Sequence, residues 1–280
     1  MAEVTRRPIF SGGRVIAAGA IVAALGFVLC AVGLLFDPAR TWMSYVTALS
    51  YAVTIAVGAL VLQMAGYAAN ARWMSVIRRM TEAITLAFPV LAILFVPLLF
   101  GADLIYPWLD PPEEITRHEL EVIHHREPYL NLAGFAIRGA LYFAIWIAAA
   151  EILRRWSRGR DGAARALGVG PEEALRRERV LSCALLPLVG LAITFAAFDW
   201  LMSLNAVWYS TIFGIYVFAG GFVAAIGLVI ILSERARQFV DVAPVITPNH
   251  FHAMGRLLFA FVVFWAYCAF FQAMLILIAN

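Results

Sequence analysis

The chain contains no lysine; all 21 of its basic residues are arginine. A retinal Schiff base, which needs a lysine within a span, is therefore excluded. Cysteine is also scarce. Cys30, Cys183 and Cys268 stand apart from one another and no CxxC occurs. The chain offers no iron–sulfur ligand set and no disulfide framework, and its cysteines fit small apolar packing residues. The histidines His118, His124, His125, His250 and His252 all lie outside the long apolar runs. A bilayer-embedded haem with two histidine ligands needs imidazoles inside the bundle, so that class is excluded as well.

What is abundant is apolar. The 280 residues are 63% hydrophobic, with a mean hydropathy of +0.85, where soluble domains run about 45–50% apolar. Seven runs reach the roughly 20 residues that cross a bilayer. They fall at about Val15–Phe36, Trp42–Ala65, Ile84–Tyr106, Leu130–Leu153, Val180–Leu204, Thr211–Leu232 and Leu257–Ala279. The predicted fold is an all-α, polytopic transmembrane helix bundle forming a single integral membrane domain. The first run is too long for a cleaved signal, and no small-residue cleavage site follows it.

Arginine placement orients the bundle. Arg6, Arg7 and Arg14 precede the first span, and Arg72, Arg78 and Arg79 separate the second from the third. Arg154, Arg155, Arg158, Arg160, Arg165, Arg176, Arg177 and Arg179 separate the fourth from the fifth, and Arg235, Arg237 and Arg256 the sixth from the seventh. These alternate loops share one side, and the positive-inside rule makes it cytoplasmic. The opposite loop carries Asp110, Glu113, Glu114, Glu119, Glu121 and Glu127. The N-terminus is then cytoplasmic and the C-terminus periplasmic. The net charge of +3 is spread along one rim and says nothing for nucleic acid.

Between spans three and four, Pro111-Pro112-Glu113-Glu114 has the chemistry of a helix start and predicts a short surface helix over Glu113–Arg126. His118, Glu121 and His124 on it have helical spacing; a hydrated acidic surface suits them better than a metal. Gly168 and Gly170 break the next cytoplasmic loop before a further segment begins at Pro171. Gly220-Gly221 and Ala224-Ala225 have small-xxx-small spacing and predict close packing within the bundle. Pro89, Pro97 and Pro187 fall inside spans three and five, where they leave backbone carbonyls to be satisfied by neighbours or water.

The charges within the spans carry the functional signal, since ionisable residues at depth are costly and mostly line polar paths. Asp103, Arg138 and Asp199 lie toward the periplasmic face; Glu82 and Glu151 lie toward the cytoplasmic face. Arg138 sits too deep for easy snorkelling and needs a carboxylate, with Asp199 or Asp103 at matching depth. The favoured reading pairs it with Asp199 beside a water-accessible pocket. Glu82 and Glu151 lie within a turn of cytoplasmic arginines, so interfacial salt bridges are the plainer reading for them. Glu82 to Asp103 and Glu178 to Asp199 have equal spacing, as any two spans running the same way across the membrane tend to. In the last span, Trp265, Tyr267 and Gln272 suggest an aromatic wall with a polar handle for a flat isoprenoid quinone.

Several motifs then read in order: Arg78-Arg79-x-x-Glu82, Tyr106-Pro107-Trp108, Pro128-Tyr129-Leu130-Asn131 followed by Arg138, Asp199-Trp200-Leu201-Met202-Ser203-Leu204, Trp208-Tyr209-Ser210-Thr211-Ile212, and Leu258-Phe259-Ala260-Phe261 through Phe264-Trp265-Ala266-Tyr267 to Asn280. Together they resemble a membrane subunit of bacterial alternative complex III, a quinol:electron acceptor oxidoreductase, within the broader NrfD/polysulfide-reductase membrane family. The resemblance implies a haem-free subunit in the bacterial cytoplasmic membrane that contributes to quinol binding or a proton path and is not active alone. Its partners would be a paralogous quinol-binding membrane subunit, an iron–sulfur subunit and c-type cytochromes, with haem and iron–sulfur clusters held only by these. Asp199, Arg138 and Asp103 would form the outer half of a polar path, and Glu82 and Glu151 the inner half. Members of that family normally continue with further spans past the position of Asn280, so the resemblance implies a C-terminally short member. The alternative reading is a secondary transporter or proton channel using the same buried charges, and a third is a scaffold that only anchors partners.

Overall fold

The protein is described by a computed structural model covering residues 13–71, 73–112, 116–158, 171–205, 207–238 and 244–279. Over these residues the chain is helical, with no strand: α1 (Gly13–Phe36), α2 (Pro38–Ala68), α3 (Met74–Thr85), α4 (Phe88–Leu98), α5 (Arg117–Arg126), α6 (Leu132–Arg158), α7 (Pro171–Trp200), α8 (Phe213–Ala236) and α9 (Pro248–Ala279). A 3₁₀ turn, Met202–Leu204, follows α7. Seven stretches are long and apolar enough to cross a membrane: Ile16–Phe36, Pro38–Ala68, Met74–Leu98, Leu132–Arg158, Leu175–Leu204, Phe213–Ala236 and Pro248–Ile278. The protein is a multi-pass membrane protein.

Helices outrun their apolar stretches where caps allow it. Asp37 accepts a hydrogen bond from the Arg40 N–H at 3.1 Å, and Pro38 opens α2, so spans one and two are joined by a single non-helical residue. At the other end of α2, Asn70 takes the left-handed φ of 53°. Its neighbour Ala71 donates to the Gly66 carbonyl at 2.9 Å, closing the helix in a Schellman-type turn. Pro171 does begin a helical segment, but it runs without interruption into span five as the 30-residue α7.

Two expectations need correction. Span three, predicted over Ile84–Tyr106, is two helices, α3 and α4, separated at Leu86 and Ala87, and its helical part ends at Leu98. Pro89 has no N–H to give to the Thr85 carbonyl and its ring crowds that carbonyl, so it sits in the first turn of α4, just past the break. Residues 99–110 fold as turns that bury Ala102, Ile105, Tyr106 and Trp108 against the bundle. The surface helix predicted from Glu113 starts instead at Arg117. Thr116 is its N-cap, in a reciprocal capping box with Glu119, and Glu113 and Glu114 lie outside the described residues.

α2 runs through the middle of the bundle, packed on α8, α7, α3 and α4. Its closest approach is to α8. A Cβ on Gly58 would lie 2.8 Å from the Gly221 carbonyl oxygen, and one on Gly221 would lie 2.7 Å from that of Thr54. The glycine pair of span six thus packs within the bundle, as its spacing predicts, because only glycine lets two backbones come this close. α1 and α9 lie at the rim. Their exposed Leu, Ile, Val and Phe side chains are the surface a bilayer covers.

Candidate functional site

Asp199 is the next-to-last residue of α7, and its side chain has no exposed surface. A carboxylate there faces the negative end of the helix dipole as well as the loss of water. Arg138, on α6, answers both. Its Nε donates to Asp199 Oδ2 at 2.8 Å and its Nη2 to Oδ1 at 3.1 Å, a two-pronged pair. The Tyr142 hydroxyl, one turn further along α6, donates to Oδ2 at 2.7 Å. The carboxylate therefore accepts three hydrogen bonds.

The guanidinium is fixed from its other side. Its Nη1 donates to the Tyr129 carbonyl at 2.9 Å, and its centre lies 3.9 Å from the Tyr129 ring centroid. Asn131 caps α6 by accepting from the Gly134 N–H at 2.7 Å, which sets the turn that carries Tyr129. The end of α7 is closed by hydroxyls. Ser203 donates to the Asp199 carbonyl, and Tyr106 donates to the Trp200 carbonyl at 3.0 Å. Partial burial, and then the Asp199 charge, push the Tyr129 hydroxyl from its ordinary 10.0 up to about 12.

Beside this pair opens a groove of about 390 Å³, within the size range of small-molecule sites. Tyr129, Phe195, Phe198, Met202, Trp208 and Tyr209 form its largely apolar wall, with His125, Arg126, Ser203 and Asn205 at its polar edge. Tyr129 belongs to both the groove and the ion-pair network, and Ser203 in the groove bonds the backbone carbonyl of Asp199.

No protein-family model matches this chain, and no curated protein matches its sequence.

The other residues singled out in the sequence are placed as follows. Asp103 lies exposed in the turns after α4, and the carboxylate that pairs with Arg138 is that of Asp199. Glu82 is buried and pairs with Arg79, three residues before it. Glu151 is partly exposed and is held by Arg154 and by Arg155, whose Nε lies 2.7 Å from its Oε1. This is the interfacial ion cluster of the plainer reading. Trp265, Tyr267 and Gln272 do not form one wall. Trp265 stacks on Tyr216 of α8 with centroids 5.7 Å apart, and Gln272 donates to the Ser210 hydroxyl at 2.7 Å. Tyr267 faces outward, 59% exposed. At about 100° per residue, a seven-residue step returns to the same helix face and a two-residue step turns to the far side. Among the described residues no group of three His, Cys, Asp or Glu is arranged to hold a metal.

Tyr142, Tyr129 and Ser203 were not singled out as partners of the charge pair. Tyr142 had a readable signal, since it stands four residues after Arg138 and so shares its helix face. Tyr129 did not, because its contact depends on how the loop before α6 meets Arg138, whereas Ser203 bonds the carbonyl four residues back, a local pattern of helical serines.

Proposed function

We propose that the groove beside Arg138 and Asp199 receives the ring of a quinol. On this reading the protein is the haem-free membrane subunit of a bacterial respiratory quinol:electron acceptor oxidoreductase, in the cytoplasmic membrane. The observation that carries the reading is the shared wall: an aromatic groove near the membrane face whose Tyr129 also holds the arginine paired with the buried carboxylate, and whose Ser203 bonds the backbone carbonyl of Asp199. Oxidising a quinol releases two protons and two electrons. Asp199, re-aimed from Tyr142 or Arg138 toward the quinol hydroxyls, takes the two protons one after the other, and the face of the bundle delivers each to the periplasm before the next is taken. The electrons pass to iron–sulfur or haem groups of partner subunits, the chemistry this chain's own residues do not supply.

The test uses the chain purified in mild detergent with its co-purifying proteins, which are assayed for haem and iron. Titration with a short-chain quinone should quench tryptophan fluorescence, and Trp208→Phe should remove most of that quenching. Asp199→Asn should lower quinol-dependent electron transfer by about 10²–10⁴-fold, the usual contribution of a positioned base, while leaving the quenching in place. Quenching that is unchanged by Trp208→Phe would sink the assignment of the groove.

A second reading, a secondary transporter or proton channel, draws on the break between α3 and α4, since transporters build their sites at interrupted helices. Electrogenic uptake by liposomes containing the chain alone would favour it.

A further inference from the structure

The end of the bundle opposite Asp199 holds a second concentration of buried polar side chains. Gln63 on α2, Thr81 and Glu82 on α3, Ser157 on α6, Glu178 and Ser182 on α7 and Ser233 on α8 are each at most 4% exposed. Every one lies within about three turns of its helix's end at the arginine-rich face, by the 3.6-residue turn. The helices that carry them pack on one another: α3 on α2, α6 and α8, and α7 on α2, α6 and α8. Gln63 and Thr81 meet across the α2–α3 contact at 3.4 Å, and the Gln63 amide reaches the Tyr67 hydroxyl at 3.4 Å.

Four atoms in this group have no protein partner within hydrogen-bonding distance: Glu82 Oε1 and the hydroxyls of Ser157, Ser182 and Ser233. Buried hydroxyls on helices ordinarily bond back to the preceding turn, as Thr194 does to Gly190 at 2.8 Å. These three do not, though all three are completely buried. Polar groups so placed are satisfied by internal water, which takes two to four such partners at a time. Water also accounts for carboxylates lying among them away from the lipid.

We propose that this end of the bundle is a hydrated chamber, entered from the arginine-rich cytoplasmic face, whose water contacts Glu82 and Glu178. Its ligands are water and small hydrophilic cations. It is distinct from the groove at the opposite face and does not depend on the function proposed for that groove.

Single cysteines at Ser157, Ser182 and Ser233 test this in a chain whose Cys30, Cys183 and Cys268 are replaced by alanine. Serine to cysteine changes one atom, so the fold is kept, and thermal unfolding verifies it. A small, cationic, membrane-impermeant thiosulfonate is applied to inside-out and right-side-out vesicles. Val189→Cys, fully buried about two turns beyond Ser182 on α7, is the dry control. All three serine positions should react several-fold faster than Val189→Cys, and only in inside-out vesicles. Reaction no faster than the control, or reaction from the opposite face, would overturn the proposal.

Discussion

Replacing Arg138 by methionine tests how much of this bundle's stability depends on one buried charge pair. Methionine keeps most of the side chain's length and removes the guanidinium. Asp199 then keeps the Tyr142 hydroxyl and loses two of its three hydrogen bonds, those at 2.8 and 3.1 Å. Its side chain has no exposed surface, whereas that of Arg138 is 19% exposed, so the stranded carboxylate has no water to turn to. Removing one partner of such a pair costs about 3–5 kcal/mol, and replacing both partners with apolar residues is about neutral or stabilising. The expected order is therefore distinctive. Arg138→Met is the most destabilised, and Asp199→Leu less so, because a lone Arg138 still has the Tyr129 carbonyl and ring near the surface. The double variant should recover most of the loss, giving a coupling energy of about 3 kcal/mol, at the upper end of values for contacting residues. Equilibrium unfolding in mixed micelles measures all three. If Arg138→Met stays within about 1 kcal/mol of the parent, or the double variant loses the sum of the singles, Asp199 is not the desolvated carboxylate described above.

Three further outcomes follow from other parts of the molecule. Gly221→Ala should cost about 1–3 kcal/mol through overpacking, because the new methyl meets the Thr54 Cβ and the Thr54 backbone carbonyl, neither of which can swing away; the same unfolding assay reads it. Tyr129, with its hydroxyl raised to about 12, should ionise after an ordinary tyrosine, as seen in the tyrosinate absorbance lost in Tyr129→Phe. A raised folded value means the unfolded chain deprotonates first. Its contribution to stability is therefore complete below the ordinary 10.0 and falls away as pH rises through about 12. The Glu119 carboxyl is held below its ordinary value first by the Thr116 side chain and then by the Thr116 backbone N–H. Its support of α5 is thus present above the ordinary carboxylate range and lost as pH falls through the lowered value, read as faster amide exchange at the start of α5 in acid.

How much of this was legible beforehand follows from which interactions are local. Span number and class came from composition and run length, because a bilayer leaves few options for a long apolar segment. Depth alone narrowed the partner of Arg138 to two carboxylates, Asp199 and Asp103, since a deep arginine needs one at its own level. The competing Asp103 was not separable at that stage. It is excluded by the turns of residues 99–110, which follow from the break at Pro89 and the early end of α4, and these leave Asp103 at the surface. Glu151 and Glu82 looked alike in sequence, each near arginines. They differ in which side of their helix meets the bundle, and that is set by packing. Glu178 stands two residues from Arg176 in an arginine-rich stretch, and nothing in the pattern distinguishes it from a solvated charge. Only the close packing of α7 on α2, α6 and α8 buries it completely.

The two polar ends bear on which function the bundle can perform. Glu178 and Asp199 are 21 residues apart on one continuous helix, about 31 Å at 1.5 Å per residue. Between those ends the interior beside α7 is filled by aromatic rings. Phe143 stacks on Trp200 at 5.7 Å, Trp146 meets Trp200 edge-on at 6.1 Å, and Phe88 stacks on Trp146 at 6.0 Å. Phe95 lies against Trp200 at 5.2 Å and against Phe135 at 5.7 Å. A proton channel needs a continuous chain of polar groups or water from face to face, and a ring layer of this kind breaks it. A redox site near one face needs no such chain, because it releases protons on its own side and sends electrons sideways to a partner. The barrier between the layers therefore favours the quinol reading over the channel. It also makes a sharp demand: opening it with Trp146→Ser should create proton leak in liposomes without raising electron transfer, whereas a native channel would already leak before the substitution.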